Sequence, residues 1–178
     1  YAGKSDTYKF YDLGSEKYGI GTSAGIDELT GESILKFDDK IMNLKNDIKA
    51  TFDQVTGLDA DSGQMFRLYN AAFKRLPDPN GLRYWIDNFS SGKDDERAVA
   101  SSFLVSNEFK ERYGVDVNNA KFVETLYVNV LGRDYDQEGY SYWLGNLNNG
   151  TETRYELLLG FSESSENKAL FSEMTGLY

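Results

Sequence analysis

The chain has 178 residues, enough for one or two domains with a core that needs no covalent staples. Its 19 Lys and Arg against 29 Asp and Glu leave a net charge of −10, which argues against nucleic acid and anionic membrane surfaces as partners. With no Cys and no His, the chain itself offers no disulfide, thiolate nucleophile, His base or His metal ligand, so only carboxylates, Lys, Tyr and Ser remain for catalysis.

A composition 40% hydrophobic and 15% aromatic describes a folded chain. The sequence opens on Tyr1, with no initiator Met or leader, and reads as a piece of a longer protein. No apolar run approaches membrane-spanning length, so membrane insertion is not expected.

In chain order, Tyr8, Phe10 and Tyr11, then Tyr18 and Ile20, flank the turn-like Asp12-Leu13-Gly14-Ser15 and predict an aromatic hairpin. Gly19, Gly21 and Gly25 predict loops or bulges after it. Residues 33–55 carry two patterns at once. Ile34, Phe37, Ile41, Leu44, Ile48 and Phe52 form a helical stripe, whereas Leu35/Phe37 and Met42/Leu44 alternate about Asp38-Asp39-Lys40. The reading adopted is a hairpin to about Leu44 and a helix from Asp47 to Val55. A loop at Gly57–Gly63 follows.

Met65, Leu68, Tyr69, Ala72 and Phe73 then recur at helical spacing, and Pro77 is expected to end that helix. Asp78 before Pro79 predicts an N-cap followed by Pro at the first helical position, and Leu82, Trp85, Ile86 and Phe89 line the next helix. Gly92 is a C-terminal stop, a third helix covers about Asp94–Val105, and Ser106 caps a fourth that ends near Gly114.

The whole set returns 58 residues later. Leu68 and Tyr69 match Leu126 and Tyr127, Arg75 matches Arg133, Asp78 matches Asp136, and Gly81 matches Gly139. Tyr84-Trp85 matches Tyr142-Trp143, and Phe103, Ser106 and Glu108 match Phe161, Ser164 and Glu166. The fold expected is mainly α: two tandem helical repeats behind a small hairpin-rich N-terminal region. The boundaries are 1–56 for that region and 57–178 for the helical domain, with units at about 64–114 and 122–176. Both Trp85 and Trp143 are expected to be largely buried against the first helix of their own unit.

The segments FRLYNAAFKRLPDPNGLRYWI and LYVNVLGRDYDQEGYSYWL, with the ending LLLGFSESSEN, resemble a bacterial domain-of-unknown-function family. Its repeats carry Leu-Tyr-x5-Arg-x-x-Asp-x-x-Gly-x-x-Tyr-Trp. The resemblance covers about Gly63–Leu170. It is similar, more distantly, to phycobilisome linker domains. It implies a secreted or cell-surface accessory module of the kind found beside haemolysin-type calcium-binding (RTX) repeats, proteases and adhesins. The Gly-Gly-x-Gly-x-Asp nonapeptides of those repeats do not occur here.

For chemistry, Asp134-Tyr135-Asp136-Gln137-Glu138-Gly139 reproduces the first half of an EF-hand-like loop, with Asp134, Asp136 and Glu138 as calcium candidates, but position 12 is Gly145. The alternative is Asp78 and Asp136 as helix caps, each held by the preceding Arg75 or Arg133, which accounts for both copies. Asp59 and Asp61 form a second oxygen-rich turn that also reads as a helix-initiating loop. Acid pairs such as Asp38-Asp39 and Asp94-Asp95 fit solvated turns as well as they fit a glycosidase. Arg75, Asp78, Gly81, Trp85 and their partners Arg133, Asp136, Gly139 and Trp143 are the expected structural set.

The expectation is a non-catalytic interaction module of an exported or cell-surface bacterial protein, attaching it to a protein or surface. No cofactor is required, and calcium is the one left open. A carbohydrate-binding module with a glycan partner is the first alternative, resting on the thirteen Tyr and two Trp, with Tyr8, Tyr11 and Tyr18 as the better surface candidates and Trp85 and Trp143 in the apolar stripe. A carboxylate-based hydrolase is the second.

Overall fold

The computed structural model describes residues 1–31 and 33–178. After a single 3-10 turn at Ser5–Thr7, strands β1 (Phe10–Gly14), β2 (Lys17–Thr22) and β3 (Gly25–Leu29) form an antiparallel meander in the order β1-β2-β3. Phe10 pairs with Ile20 and Tyr11 with Gly19, so the aromatic hairpin stands where the alternation puts it. Its two-residue turn is Ser15-Glu16, both at positive φ (53° and 60°), the conformation that matches right-handed strand twist.

The third strand was not expected. Gly19 and Gly21 lie inside β2 and are not loop residues. A side chain at Gly19 would run into Ile26 and Leu13, and one at Gly21 into the Tyr11 ring, so these glycines make room for neighbours that cover the strand.

The alternating pattern also prevails in the next segment. Strands β4 (Ile34–Lys36) and β5 (Ile41–Asn43) pair antiparallel, with Leu35 opposite Met42 and both buried. The helix after them starts at Leu44, three residues earlier than Asp47, as a wide π turn (Leu44–Lys49) running into α1 (Ala50–Phe52). The cause is local: the Asn46 N–H donates to Asn43 Oδ1, and the Asn43 N–H donates to Asp47 Oδ2 at 2.6 Å. This reciprocal cap pins the start at Asn43.

Two four-helix units follow. The first comprises α2 (Asp61–Phe73), α3 (Pro79–Ser90), α4 (Glu96–Val105) and α5 (Asn107–Tyr113). The second comprises α6 (Asn119–Leu126) continued by a π turn at Tyr127–Leu131, then α7 (Gln137–Asn148), α8 (Arg154–Ser162) and α9 (Ser165–Thr175). Every helix of the second unit begins 58 residues after its counterpart: Asp61 and Asn119, Pro79 and Gln137, Glu96 and Arg154, Asn107 and Ser165. Asp78, Ser106, Asp136 and Ser164 accept hydrogen bonds as N-caps, as the sequence predicts. The first helix stops before Pro77, however. Lys74 adopts the left-handed conformation (φ 49°) one residue past Phe73, at the position where the second unit has Gly132 (φ 68°).

One column of rings joins the parts. Tyr18 stacks on Phe52 with centroids 6.0 Å apart, Phe52 meets Phe66 of α2 at 5.9 Å, and Phe66 meets Phe171 of α9 at 5.7 Å. The N-terminal sheet therefore shares its core with both helical units. Arg67 of α2, only 2% exposed, adds a polar clasp. It donates to both carboxylate oxygens of Glu163 at 2.9 and 2.7 Å and to the Leu58 carbonyl at 2.7 Å. Among the described residues no helix is long and apolar enough to cross a membrane.

Candidate functional site

The residues that recur between the units assemble into two equivalent clusters. In the first unit, Arg75 donates to Glu108 through Nε (2.6 Å to Oε1) and Nη2 (3.1 Å to Oε2). Its Nη1 donates to the Leu76 carbonyl and its Nη2 to the Tyr69 hydroxyl. The Tyr69 hydroxyl in turn donates to Asp78 Oδ2 at 2.7 Å, and the Gly81 N–H donates to Asp78 Oδ1 at 2.7 Å. A Cβ at Gly81 would sit 2.9 Å from both Asp78 carboxylate oxygens, which is why the position is glycine.

The second unit repeats the core of this arrangement. Arg133 donates to Glu166 at 2.7 and 2.9 Å and to the Asp134 carbonyl, and the Gly139 N–H donates to Asp136 Oδ1 at 2.7 Å. Each guanidinium lies over the unit's Tyr ring, Tyr69 or Tyr127, at 5.2 Å.

The main partner of each Arg is thus Glu108 or Glu166. The Arg75–Asp78 and Arg133–Asp136 pairs that the sequence suggests stand at 3.7 and 3.6 Å and are secondary. The missed carboxylates were visible as the Glu108/Glu166 match of the repeat, but nothing in local spacing ties them to an Arg 33 residues away.

Charge states follow from the contacts. Burial alone would lower the Arg75 pKa, but its bonds to Glu108 and Tyr69 override it and raise the value. Burial also works to raise the Asp78 carboxyl, yet the hydrogen bonds from Tyr69 and Gly81, with the Arg75 charge, hold it below the ordinary carboxylate range. Asp136 is held low first by the Gly139 N–H, and Glu166 first by Arg133.

Part of the acid in these loops is engaged in the same way. Asp136 caps α7 and Asp134 offers its carbonyl to Arg133, while Asp59 faces Lys168 at 3.5 Å. Neither Asp134, Asp136 and Glu138 nor Asp59 and Asp61 are gathered into a metal-holding group of three acids, and none exists among the described residues. Of the adjacent acids, Asp39 accepts from Ser5, Asp94 from Asn88, and Asp95 caps α4.

Trp85 and Trp143 are partly buried and pack against the core of their units, where the third helix supplies a ring to each. Trp85 meets Phe103 edge-on at 5.1 Å, and Trp143 meets Phe161 at 5.8 Å. Before each Trp stands an outward Tyr: Tyr84 is 52% exposed and Tyr142 60%. Each touches its Trp edge-on, at 4.9 and 4.8 Å. Each unit therefore presents the same Tyr-Trp face on its second helix.

Residues 100–171 match the family model described as domain of unknown function (DUF4214). The matched segment runs from α4 to α9 and includes the whole Arg133 cluster and the second Tyr-Trp face. No curated protein matches the chain, and no solved structure does.

Proposed function

We propose that the chain is a non-catalytic interaction module that attaches its parent protein to a protein or surface partner, in an extracellular or cell-surface setting. One observation carries this reading. The recurring Arg, Glu, Tyr and Asp of the two clusters are engaged in internal bonds, while the recurring aromatic residues left facing solvent are Tyr84 and Tyr142, each braced by a half-buried Trp. Exposed rings held by a packed neighbour bind at low entropic cost, and Tyr and Trp dominate binding hot spots. Two equivalent faces on one body would also support two-point attachment.

The second reading is a carbohydrate-binding module. The Tyr-Trp pairing supports it, because an exposed ring face can stack on a sugar. Arrays of surface proteins and of glycans, probed with the wild type and a Tyr84→Ser/Tyr142→Ser double variant, separate the two. Protein-array signal lost in the double variant supports attachment to protein, and variant-sensitive signal on glycans alone selects the second reading. Signal that both proteins share, or turnover of chromogenic glycosides by the wild type, overturns the first.

A further inference from the structure

A chamber of about 140 Å³ lies where the N-terminal segment meets α2, the π turn of the second unit and α9. It opens on the seam between the duplicated first helices. The repeat-equivalent positions Asn70 and Val128 both line it, as do Lys74 and Gly132. Three features set this seam apart. The π turn exists in the second unit only, its counterpart in α2 being regular helix, and such turns are frequent at functional sites. Lys74 holds a left-handed conformation that costs a side-chain-bearing residue free energy, where the second unit uses glycine. Finally, the chamber's depth and its mouth differ in chemistry.

The interior is mainly apolar: Phe10, Phe66, Val130, Phe171 and Met174 are all buried, and the buried Asn167 amide already donates to the Ser162 carbonyl. Three charged residues of the lining are committed elsewhere, Asp6 to Arg112, Arg67 to Glu163 and Arg75 to Glu108. Lys9 and Lys74 stand exposed at the mouth with no carboxylate partner among the described residues. In a chain of net charge −10, two lysines without a carboxylate partner among the described residues thus line one mainly apolar chamber.

We propose that this chamber binds a small amphipathic anion, an aryl or branched-alkyl carboxylate, with its apolar body among Phe66, Phe171 and Met174 and its carboxylate at Lys9 and Lys74. The size fits, since a cavity of about 150 Å³ takes up one benzene-sized ring. The charge pattern selects against a neutral ligand, whose polar end would leave both ammonium groups unpaired, and against a bare anion, which would leave the apolar walls unfilled.

The chain contains three methionines, so NMR with 13C-methyl-labelled Met gives a direct readout, with Met174 in the wall and Met42 of β5, which does not line the chamber, as control. Phenylacetate is expected to shift the Met174 resonance saturably, with a dissociation constant on the order of 1 mM or tighter, and to leave Met42 in place. Phenylacetamide is expected to bind at least roughly tenfold more weakly. Lys74→Gly, which relieves the backbone and so should fold at least as well, and Lys9→Gln should each weaken phenylacetate severalfold with Met42 unmoved. No saturable shift, equal affinity for the amide, an equal response to acetate alone, or wild-type affinity in both Lys variants would each overturn the proposal.

Discussion

Arg75 and Glu108 meet through a two-pronged bond across 33 residues, closing α5 onto the turn after α2, and Arg133 and Glu166 close α9 onto the second unit in the same way. The two locks differ in exposure. The Arg75 side chain is 17% exposed and the Arg133 side chain 41%. Breaking a buried pair strands a charge, whereas an exposed pair is largely replaced by water. Arg75→Lys is therefore expected to cost about 2 kcal/mol, because one ammonium cannot serve Glu108, Leu76 and Tyr69 together. Arg133→Lys should cost about 1 kcal/mol or less. Urea unfolding of the two variants checks the order, and equal losses would contradict it.

Gly63, in the first turn of α2, lies against the carbonyl of Gly57, and a Cβ there would collide with that backbone oxygen. Flexible side chains can yield; the loop backbone that leads into α2 cannot do so without shifting. Gly63→Ala should cost about 1–3 kcal/mol despite the better helix propensity of Ala. Gly145→Ala, with nothing near its Cβ, should instead stabilise α7 by up to about 1 kcal/mol. Thermal melts of the pair read both signs.

The helix starts were legible because their signals are local. Asp78, Ser106, Asp136 and Ser164 cap through their own side chains, and the 58-residue match doubles each observation. Strand β3 was not legible, because Gly19 and Gly21 read as breakers until Ile26, Leu13 and Tyr11 are seen to occupy their missing side chains. Arg67 gave no signal either. Its repeat partner is Thr125, and its carboxylate Glu163 lies 96 residues on. The chamber is likewise built from segments that meet only in the folded chain.

Trp85 and Trp143 are expected to tolerate truncation better than core residues. Full burial would make Trp→Ala cost about 3–5 kcal/mol; their partly buried contact with Phe103 and Phe161 should bring this to about 1–3 kcal/mol. Tyr84→Ser and Tyr142→Ser should stay within about 0.5 kcal/mol of wild type. Differential scanning fluorimetry on the four variants tests this, and a large loss at either Tyr would mark it as structural.

Acid should unfold the protein through the lock carboxylates. Asp78, Asp136 and Glu166 are all depressed in the folded state, so the unfolded chain binds protons more readily than the folded one. Their contribution is fully present above the ordinary carboxylate range of about 3.9–4.3 and is lost as pH falls from there toward the folded-state values. Asp78→Asn keeps an oxygen to cap Gly81 but cannot titrate. It should be less stable than wild type at pH 6 and lose less on going to pH 3. Parallel pH profiles of the urea midpoint for the two proteins would count against this role for Asp78.

Lys74 and Gly132 close the first helix of their units with the same left-handed turn, at φ 49° and 68°. For a residue with a Cβ this conformation costs about 1–2 kcal/mol, whereas glycine adopts it freely and loses only the larger conformational entropy of its unfolded chain. Lys74 is exposed and has no carboxylate partner among the described residues, so its replacement forfeits little. Lys74→Gly is expected to stabilise the protein by about 0.5–1 kcal/mol, and Gly132→Lys to destabilise it by about 1 kcal/mol or more. Reversible urea unfolding of both variants measures the pair. A loss of stability in Lys74→Gly would mean that the Lys74 side chain makes a contribution larger than the strain it imposes on the turn.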